Sequence, residues 1–506
     1  MRDECKIFVN FDAIIERIDP KIYGHFIEHL GQCIYDGIWV GENSGIPNIN
    51  GLRKDVIDAL LHIKAPIIRW PGGCFADTYH WEDGIGPRER RPVKRNLWWG
   101  GEERNLFGTD EYIMLCKKVK AEPYICLNVG SGSVQEAIYW LEYCNYSGKT
   151  AYAELRRKNG HPEPYYVKYW EIGNESWACG GSFTPEYYAW EYRRFATYLK
   201  AADPSIYLVA CGRLNIRWMT TLMEYLSETR RLIDGIAIHY YFSSRRKPFG
   251  KSVEFSDEEY YNIIYDVQNL EYFIRQTADI INKFTRGSNL DIVIDEWGAW
   301  YSDATHKTGL FQQNTIRDGI LAGIVLNLYN RYSNVIRIAN LAQTVNVLQS
   351  LFLTKNRLTI MTPTYYVFDI YKHHMGNYSL MSKVSSPLIK EEPTKEMIEA
   401  FSKEKGKVDP LAAIDSSISL DKENRRIVVT LVNVSLDDDI EVRLDINGVN
   451  MSSGELILVT SKNVRDHNDF ENPKRIVPKK EDISIKGEKV NFTIPKHSIG
   501  GLLLHF

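Results

Sequence analysis

The feature that most limits how this chain can fold is a repeated alternation of short apolar runs with longer amphipathic stretches. Near-continuous apolar runs rich in Ile, Val and Tyr are typical of parallel strands covered on both faces. An open doubly wound sheet is disfavoured, because no Gly-x-Gly-x-x-Gly motif follows an early strand. We therefore predict an α/β fold built as a (β/α)8 TIM barrel. The predicted strands span residues 22–28, 65–70, 122–128, 167–175, 206–212, 233–241, 290–298 and 336–343.

The sequence changes character after residue 384. Residues 385–410 are charged and contain proline, as expected of a linker or a surface loop. Short alternating apolar and polar runs then continue to the C-terminus, which is the pattern of an antiparallel β-sandwich. We therefore expect a catalytic barrel over residues 18–384 and a C-terminal antiparallel β-sandwich domain over residues 385–506. A strand within residues 1–17 precedes the barrel, and we expect it to join the C-terminal sheet.

The composition limits which binding partners and which cellular location we expect for this chain. The formal net charge is −3, so the chain has no basic field to attract nucleic acid or an anionic membrane. The first residues are acidic and lack the apolar segment of a secretory signal, and no apolar run is long enough to span a bilayer. The eight cysteines show neither CxxC nor zinc-type spacing, so we expect free thiols, no metal site and a cytoplasmic location.

Two acidic residues end apolar runs that belong to the predicted barrel. Glu175 closes the fourth predicted strand and Glu296 closes the seventh. Catalytic groups of barrel enzymes lie at the C-terminal ends of the strands, so both side chains should face one cleft. Each glutamate alone reads as easily as a surface carboxylate. Together, at the separation of about 5–5.5 Å found in retaining glycosidases, they predict an acid/base and a nucleophile for glycoside hydrolysis.

Six motifs carry a resemblance to a known family. They are Gly24–Glu28, Arg69–Phe75, His80–Pro87, Trp170–Glu175, Asp295–Trp297 and Asn340–Gln343. Over most of its length the chain resembles the α-L-arabinofuranosidases of glycoside hydrolase family fifty-one. The likeness is to the intracellular bacterial and archaeal type, in the subgroup with Cys in the Arg-Trp-Pro-Gly-Gly-Cys-Phe motif. The resemblance implies an exo-acting, retaining enzyme without a cofactor, which releases terminal L-arabinofuranose from arabino- or arabinoxylo-oligosaccharides by double displacement. It also implies a homo-oligomer, and we suspect a hexamer.

The resemblance also assigns roles to individual residues. Glu175 would be the acid/base and Glu296 the nucleophile. The implied supporting residues are Glu28 and Asn174 for the furanose hydroxyls, Arg69 to brace the catalytic carboxylates, Tyr241 to hydrogen-bond the nucleophile, and Gln343 to contact the sugar. Chemically, Arg69 as a permanent cation would favour ionised glutamate.

Several other positions stay open on sequence alone. Cys74 is either a pocket residue or a small buried thiol, Trp300 is a pocket wall or a packing residue, and His239 is a core, rim or site histidine. Trp99 belongs to the loop 96–101, which the resemblance places at the pocket wall. Its neighbour Trp98 stands where the related subgroup has His, which leaves the fine specificity open.

Two alternative functions remain. The carboxylate pair would also serve a related glycosidase such as an endo-β-glucanase, a β-xylosidase or a galactofuranosidase. The other alternative is a catalytically silent sugar-binding protein.

Overall fold

Eight parallel strands close into a barrel in the computed structural model, which describes residues 4–243, 250–285, 290–404, 407–483, 485 and 487–506. Each strand pairs with the next, and the last pairs with the first, so the predicted (β/α)8 barrel is confirmed. The strands are β1 (Gly24–Phe26), β2 (Ile67–Trp70), β3 (Glu122–Leu127), β4 (Tyr169–Ile172), β5 (Tyr207–Cys211), β6 (Gly235–Ser243), β7 (Asp291–Trp300) and β8 (Ile336–Ala342).

Helices surround the barrel, and side-chain caps explain where several of them begin. Ser133, Thr184 and Asn215 each accept a hydrogen bond from the backbone N–H three residues later, which satisfies one of the free donors of a first helical turn. The α-helices are Lys54–His62, Thr109–Val119, Val134–Asn145, Ala151–Lys158, Pro185–Ala202, Ile216–Ser227, Asp257–Tyr265, Val267–Thr285, Ile316–Arg331, Pro363–Tyr371 and Lys395–Glu404. Short 3-10 turns lie at Pro20–Tyr23, Cys74–Thr78, Trp81–Gly84, Arg88–Arg90, Arg230–Leu232, His306–Thr308 and Lys372–His374.

The barrel interior is layered because side chains of a strand alternate between its two faces. One layer is apolar and contains Ile67, Tyr169 and Val293. Two residues further along the same strands, the inward positions carry charge instead, at Arg69, Glu171 and Asp295, and all three are fully buried. Because inward positions recur every two residues, a charged layer lies directly above the apolar one, toward the C-terminal ends of the strands.

A nine-stranded sheet forms the second domain and curls around its own apolar core. The N-terminal strand Glu4–Arg17 lies inside this sheet, antiparallel to Tyr378–Ser385 and parallel to Ile440–Asn447. The predicted β-sandwich is confirmed, with this one parallel pairing among otherwise antiparallel strands. Parallel pairing is possible there because the strand arrives from the other end of the chain and no hairpin fixes its direction. The remaining strands of the sheet are Ile414–Asp421, Arg426–Asn433, Ser453–Val459, Lys479–Ile483, Lys489–Ile494 and Ser498–His505.

Three small hairpins decorate the barrel, and one helix joins the two domains. The hairpin strands are Asn48–Ile49 with Leu52–Arg53, Lys94–Arg95 with Glu102–Glu103, and Phe352–Lys355 with Leu358–Met361. The helix Ile316–Arg331 is buried on nearly every side, since it packs between the barrel and the nine-stranded sheet. None of the helices in the described part of the chain has the length and apolar character needed to cross a membrane.

Candidate active site

A cavity of about 570 Å³ opens at the C-terminal end of the barrel strands. Both predicted catalytic carboxylates, Glu175 and Glu296, line it. Of the other predicted site residues, those that line it are Glu28, Cys74, Trp99, Asn174, His239, Tyr241, Trp300 and Gln343. Arg69 lies beneath the cavity, fully buried in the charged layer of the barrel.

Glu296 is held as a carboxylate by three groups. Arg69 Nη1 donates to its Oε1 at 2.9 Å, and Tyr241 Oη donates to its Oε2 at 2.6 Å. His239 Nδ1 lies 3.6 Å from the same Oε2. Burial by itself would raise the pKa of Glu296, but the charges of His239 and Arg69 and the Tyr241 bond outweigh it and hold this pKa below its usual range. Glu296 is therefore ionised at neutral pH, as a nucleophile must be.

Arg69 is the centre of the charged layer. Besides Glu296, it donates from Nε to Glu171 Oε2 at 2.8 Å and from Nη2 to Asn174 Oδ1 at 2.7 Å. Asp295 Oδ2 lies 4.0 Å from its Nε. A buried guanidinium is costly unless its donors are used, and here its fork is shared among these groups. Of the two predicted catalytic carboxylates Arg69 contacts only Glu296, whereas the resemblance implied that it braces both.

His239 connects the two catalytic carboxylates. Its Nδ1 lies 3.2 Å from Glu175 Oε1. Burial lowers the pKa of His239, but Glu296 and Glu175 raise it further, to about 9, so the ring is a cation at neutral pH and donates to Glu175. One oxygen of Glu175 lies within 4.8 Å of one oxygen of Glu296. This spacing fits the retaining arrangement and leaves less room than the roughly 6.5–9.5 Å of inverting enzymes.

Glu28 forms the floor of the cavity with three donors around it. Trp99 Nε1 and the Phe75 backbone N–H donate to its Oε1 at 2.9 and 3.1 Å, and Gln343 Nε2 donates to its Oε2 at 3.0 Å. Burial and the nearby charge of Glu296 raise the pKa of Glu28 to about 7 in spite of these bonds. The arrangement offers a polar floor on which sugar hydroxyls can donate to a fixed carboxylate.

The loop that carries Glu175 is clamped by a carboxylate that sequence reasoning missed. Asp77 Oδ2 accepts from the Asn174 backbone N–H at 3.0 Å, and its Oδ1 accepts from the N–H groups of Val129 and Gly130 at 2.9 and 2.8 Å. Glu175 itself adopts a positive φ of 37°, an unusual conformation for a residue with a side chain. Asp77 thus ties the loops after β2, β3 and β4 together. It also fixes the backbone of Asn174, which directly precedes Glu175.

Cys74 and Cys179 form a disulfide, so the expectation of free thiols is wrong for these two residues. They are 105 residues apart in the chain and lie on the loops after β2 and β4, which meet only in the folded barrel. The other cysteines are free and buried, as expected: Cys5, Cys33, Cys116, Cys126, Cys144 and Cys211. For Cys74 the open question between pocket residue and buried thiol resolves toward the pocket, since both bridged cysteines line the cavity.

Aromatic side chains form the cavity walls. Trp98 is 38% exposed at the rim, and Trp99 packs against His306 with tilted rings whose centroids are 5.2 Å apart. Trp300 packs edge-on against Tyr241 and also lines the cavity, so it is both a packing and a wall residue. Trp177 also lines the cavity, with the guanidinium of Arg213 over its ring at 4.8 Å from the centroid. Such rings offer faces on which sugars can stack.

The sequence could have predicted some of these residues and not others. Glu171 was predictable, because it lies two residues after Tyr169 on the same strand and therefore points into the barrel as well. Trp177 follows Glu175 closely and could have been proposed from position. Asp77 and His306 were not predictable, since their partners lie far away in sequence.

Three groups of side chains bring possible metal ligands within 4.8 Å of one another among the described residues. Two of them contain His239, whose cationic ring is a poor ligand while it holds its proton. The third consists of Cys74, Glu175 and Cys179, whose two sulfurs are already bonded to each other.

Known proteins match the chain along nearly its full length. The family model described as Alpha-L-arabinofuranosidase 1 domain matches residues 59–260, and the model for the Alpha-L-arabinofuranosidase C-terminal domain matches residues 295–498. An intracellular exo-alpha-L-arabinofuranosidase of Bacteroides ovatus is 38% identical over 97% of this chain and 94% of its own length. The chain belongs to the α-L-arabinofuranosidase family.

Solved structures of this family share the whole architecture. The arabinofuranosidase of Xanthomonas axonopodis pv. citri, described as a member of family fifty-one, is 32% identical, covers both chains completely and superposes with a TM-score of 0.93. The α-L-arabinofuranosidase from Thermotoga maritima, solved as an arabinose complex, is 33% identical over 99% of this chain and 100% of its own, with a TM-score of 0.88. The predicted glycoside hydrolase of the α-L-arabinofuranosidase family is therefore confirmed.

The likeness to other glycosidases is weaker. A bifunctional glucanase-xylanase from a metagenome library covers the whole chain but is 12% identical, with a TM-score of 0.63. At that identity the likeness shows the fold alone, so the comparisons favour the main prediction over the endo-glucanase alternative.

Proposed function

We propose that this chain releases terminal L-arabinofuranose from arabino- or arabinoxylo-oligosaccharides by double displacement, with Glu296 as nucleophile and Glu175 as acid/base. The observation that carries these roles is the close approach of the two carboxylates across His239, within 4.8 Å, in one cavity. The electrostatics separate the two groups, because Arg69 and Tyr241 contact Glu296 and not Glu175. The glutamate with the added donors is suited to stay anionic and to attack.

In the first step Glu296 attacks the anomeric carbon while Glu175 gives its proton to the departing glycosidic oxygen. The C–O bond to the aglycone breaks as the ester bond to Glu296 forms. Glu296 loses its negative charge as the ester forms, so its hydrogen bonds from Arg69 and Tyr241 weaken while both donors stay in place. Arg69 is fully buried and also donates to Glu171 and Asn174, which keeps its guanidinium rigid.

In the second step Glu175 takes a proton from water, and the water oxygen attacks the anomeric carbon to break the ester. His239 donates to Glu175 Oε1 and so orients the carboxylate toward the bond that is being made or broken. The configuration at the anomeric carbon is retained after two inversions. The carboxylates perform all the proton and covalent chemistry, and we propose no cofactor.

Glu28, Asn174 and Gln343 are proposed to bind the furanose ring. Glu28 and Gln343 meet on the cavity floor, where the ring hydroxyls would lie. Asn174 Oδ1 is occupied by Arg69, which leaves its Nδ2 to donate toward the sugar or toward Cys179 Sγ, 3.8 Å away. Trp99 fixes Glu28 by its indole N–H and closes the wall beside it. A floor of this kind fits one terminal sugar residue and supports exo action.

Arg69 is proposed to act on substrate through Glu296 and Asn174 rather than by contact. Cys74, Trp300 and Trp98 are proposed wall residues. Trp98 at the rim would meet the aglycone, where it replaces the His of related sequences and would tune the choice of leaving group.

A panel of nitrophenyl glycosides tests the function directly. We expect hydrolysis of the α-L-arabinofuranoside with kcat/KM well above that of the β-D-xyloside, β-D-glucoside and β-D-galactofuranoside. Preference for a pyranoside would contradict the proposal and favour the related-glycosidase alternative. Lack of turnover on every member, with retained arabinose binding, would favour the silent sugar-binding protein.

The finer predictions on assembly, location and domains are also proposals. We propose a homo-oligomer, with a hexamer as the suspected state, to be checked by light scattering after size exclusion. A cytoplasmic location and membership of the Cys-containing subgroup are supported by the intracellular Bacteroides ovatus relative and by Cys74. We keep the proposed division into residues 18–384 and 385–506 with 1–17, although the strand Tyr378–Ser385 pairs within the nine-stranded sheet and favours a boundary just before it.

A further inference from the structure

The disulfide Cys74–Cys179 stands beside the proposed acid/base and has no part in the proposed chemistry. Cys179 Sγ lies 3.8 Å from Glu175 Oε2. Both cysteines are partly exposed and line the cavity, so a small reductant that enters it can reach them. The six other cysteines are buried and are closed to the same reagent. Disulfides in proteins of reducing compartments are typically transient or redox-sensing.

We propose that this disulfide is reducible, and that its two thiols together with the Glu175 carboxylate then form a binding site for a thiophilic divalent cation such as Zn²⁺ or Cd²⁺. Occupation of the site stops catalysis, because a carboxylate that holds a cation can neither protonate the departing oxygen nor take the proton from the attacking water. The inhibition rests on the proposed role of Glu175, whereas the metal binding does not.

The positions of the three ligands carry the proposal. One ligand atom from each of Cys74, Glu175 and Cys179 lies within 4.8 Å of the others. Zn²⁺ takes thiolate sulfur at about 2.3 Å and carboxylate oxygen at about 2.0–2.2 Å in tetrahedral sites, so a cation among these three atoms needs only side-chain rotations. The open cavity supplies a water as the fourth ligand. Asn174 Nδ2, 3.8 Å from Cys179 Sγ, can donate to the resulting thiolate.

A water-soluble phosphine can reduce the Cys74–Cys179 disulfide. It delivers two electrons to the S–S bond and becomes the phosphine oxide by taking an oxygen from water. The two protons of that water convert the separated sulfurs into two thiols. The cation then displaces the thiol protons as it binds, which makes its affinity rise with pH.

A second group of possible ligands would give a different result from the thiol site in the same experiment. Glu175, His239 and Glu296 also bring ligand atoms within 4.8 Å of one another, and they are present whether or not the disulfide is reduced. A cation held there would inhibit both redox forms. A cation held by the thiols inhibits only the reduced form.

The experiment compares the oxidised enzyme with enzyme reduced by the phosphine and freed of it by gel filtration under nitrogen. Cd²⁺ is added to each, while the cadmium–thiolate absorption in the ultraviolet and the rate on a nitrophenyl arabinofuranoside are recorded. The reduced enzyme is expected to bind Cd²⁺ with this absorption. At about ten times the dissociation constant of Cd²⁺, mass action leaves about a tenth of the activity. The oxidised enzyme shows neither effect, and Mg²⁺ inhibits neither form.

Variants separate the site from a general effect of reduction. Cys179→Ala and Cys74→Ser each remove one ligand and the disulfide, so each should bind Cd²⁺ more weakly than the reduced parent and show the same Cd²⁺ response before and after reduction. Cys5→Ala removes a buried thiol in the other domain and should behave as the parent protein. Equal inhibition of oxidised and reduced enzyme, or a reduced enzyme without the thiolate absorption, would overturn the proposal. Thiolate absorption with full activity would show that Glu175 does not bind the cation and would overturn the three-ligand site, while the catalytic role of Glu175 is tested separately by Glu175→Ala.

Discussion

At the scale of single residues, the two glutamates of the cavity differ in their surroundings more than in their chemistry. Glu296 accepts hydrogen bonds from Arg69 and Tyr241 and also lies near His239, whereas Glu175 has His239 as its donor and lies beside the disulfide sulfur of Cys179. The same carboxyl group can therefore serve two roles, because Arg69 and Tyr241 stabilise the anion at Glu296 and do not hydrogen-bond to Glu175.

Removal of each glutamate should have a distinct kinetic effect. Glu296→Ala should abolish turnover of every substrate, because no ester can form. Glu175→Ala should lower kcat/KM for oligosaccharides by about 10²–10⁴, the usual contribution of general acid catalysis, and should spare kcat/KM for a dinitrophenyl arabinofuranoside, whose leaving group needs no proton. Steady-state kinetics on both substrates measure this, with the exposed Glu163→Ala as control. Wild-type activity in Glu296→Ala would show that the assignment is wrong.

The pH dependence should reveal the charge on His239. Its pKa of about 9 keeps the ring cationic through neutral pH, and that charge helps to hold the pKa of Glu296 below its usual range. In His239→Asn the charge is gone at every pH, so the pKa of Glu296 should rise. The acidic limb of the kcat/KM profile should then move to higher pH, by about one unit or more.

Two further variants control this measurement. Tyr241→Phe removes a hydrogen bond from Glu296 and should move the acidic limb in the same direction. His306→Asn changes a wall histidine that packs against Trp99 and should leave the limb in place. An unchanged limb in His239→Asn would show that the His239 cation does not govern the ionisation of Glu296.

At the scale of elements, the loops after the barrel strands depend on Asp77. In Asp77→Asn the amide oxygen can still accept from Val129 and Gly130, but the amide N–H₂ would face the Asn174 N–H, donor against donor. One buried bond is lost, which costs about 1–3 kcal/mol. We expect a lower Tm and a lower kcat, since Glu175 follows Asn174 directly. Asp83→Asn, on the neighbouring 3-10 turn, is the matched control. An unaltered kcat would show that Asp77 does not position Glu175.

Much of this arrangement was predictable, and the reason lies in local pattern. Each barrel strand is a short apolar run. Because side chains alternate between the two faces of a strand, one known inward residue shows which of its neighbours also face the barrel interior. The exceptions depend on contacts between distant segments. Asp77 bonds to residues 52, 53 and 97 positions away, and Cys74 pairs with a cysteine 105 residues downstream. No periodicity encodes such pairings, because only closure of the barrel brings the loops together.

At the scale of the whole molecule, the nine-stranded sheet takes strands from both ends of the chain. The strand Glu4–Arg17 lies between Tyr378–Ser385 and Ile440–Asn447, so the sheet joins segments that the whole barrel separates in the sequence. The helix Ile316–Arg331 then belongs to both domains, since one side covers the barrel and the other packs on the sheet. Barrel and sheet should therefore unfold as one cooperative unit.

Asn327, on the helix between the two domains, is the residue at which this cooperativity can be tested. Its Oδ1 accepts from Tyr371, Ser417 and Thr430 at 2.7–2.9 Å, and its Nδ2 donates to Asp415 at 2.7 Å. Asn327→Leu keeps the size of the side chain but leaves these buried groups without their partner.

Each buried polar group left unsatisfied costs about 1–3 kcal/mol, so the Tm of Asn327→Leu should fall clearly. Calorimetry should still show one transition, and kcat at a temperature well below the Tm should stay close to that of the parent, since Asn327 lies outside the cavity. Asn491→Leu makes the same change at an exposed position of the sheet and should leave the Tm nearly unchanged. Two separate transitions in Asn327→Leu, or a Tm equal to that of Asn491→Leu, would show that the domains are not coupled through this helix.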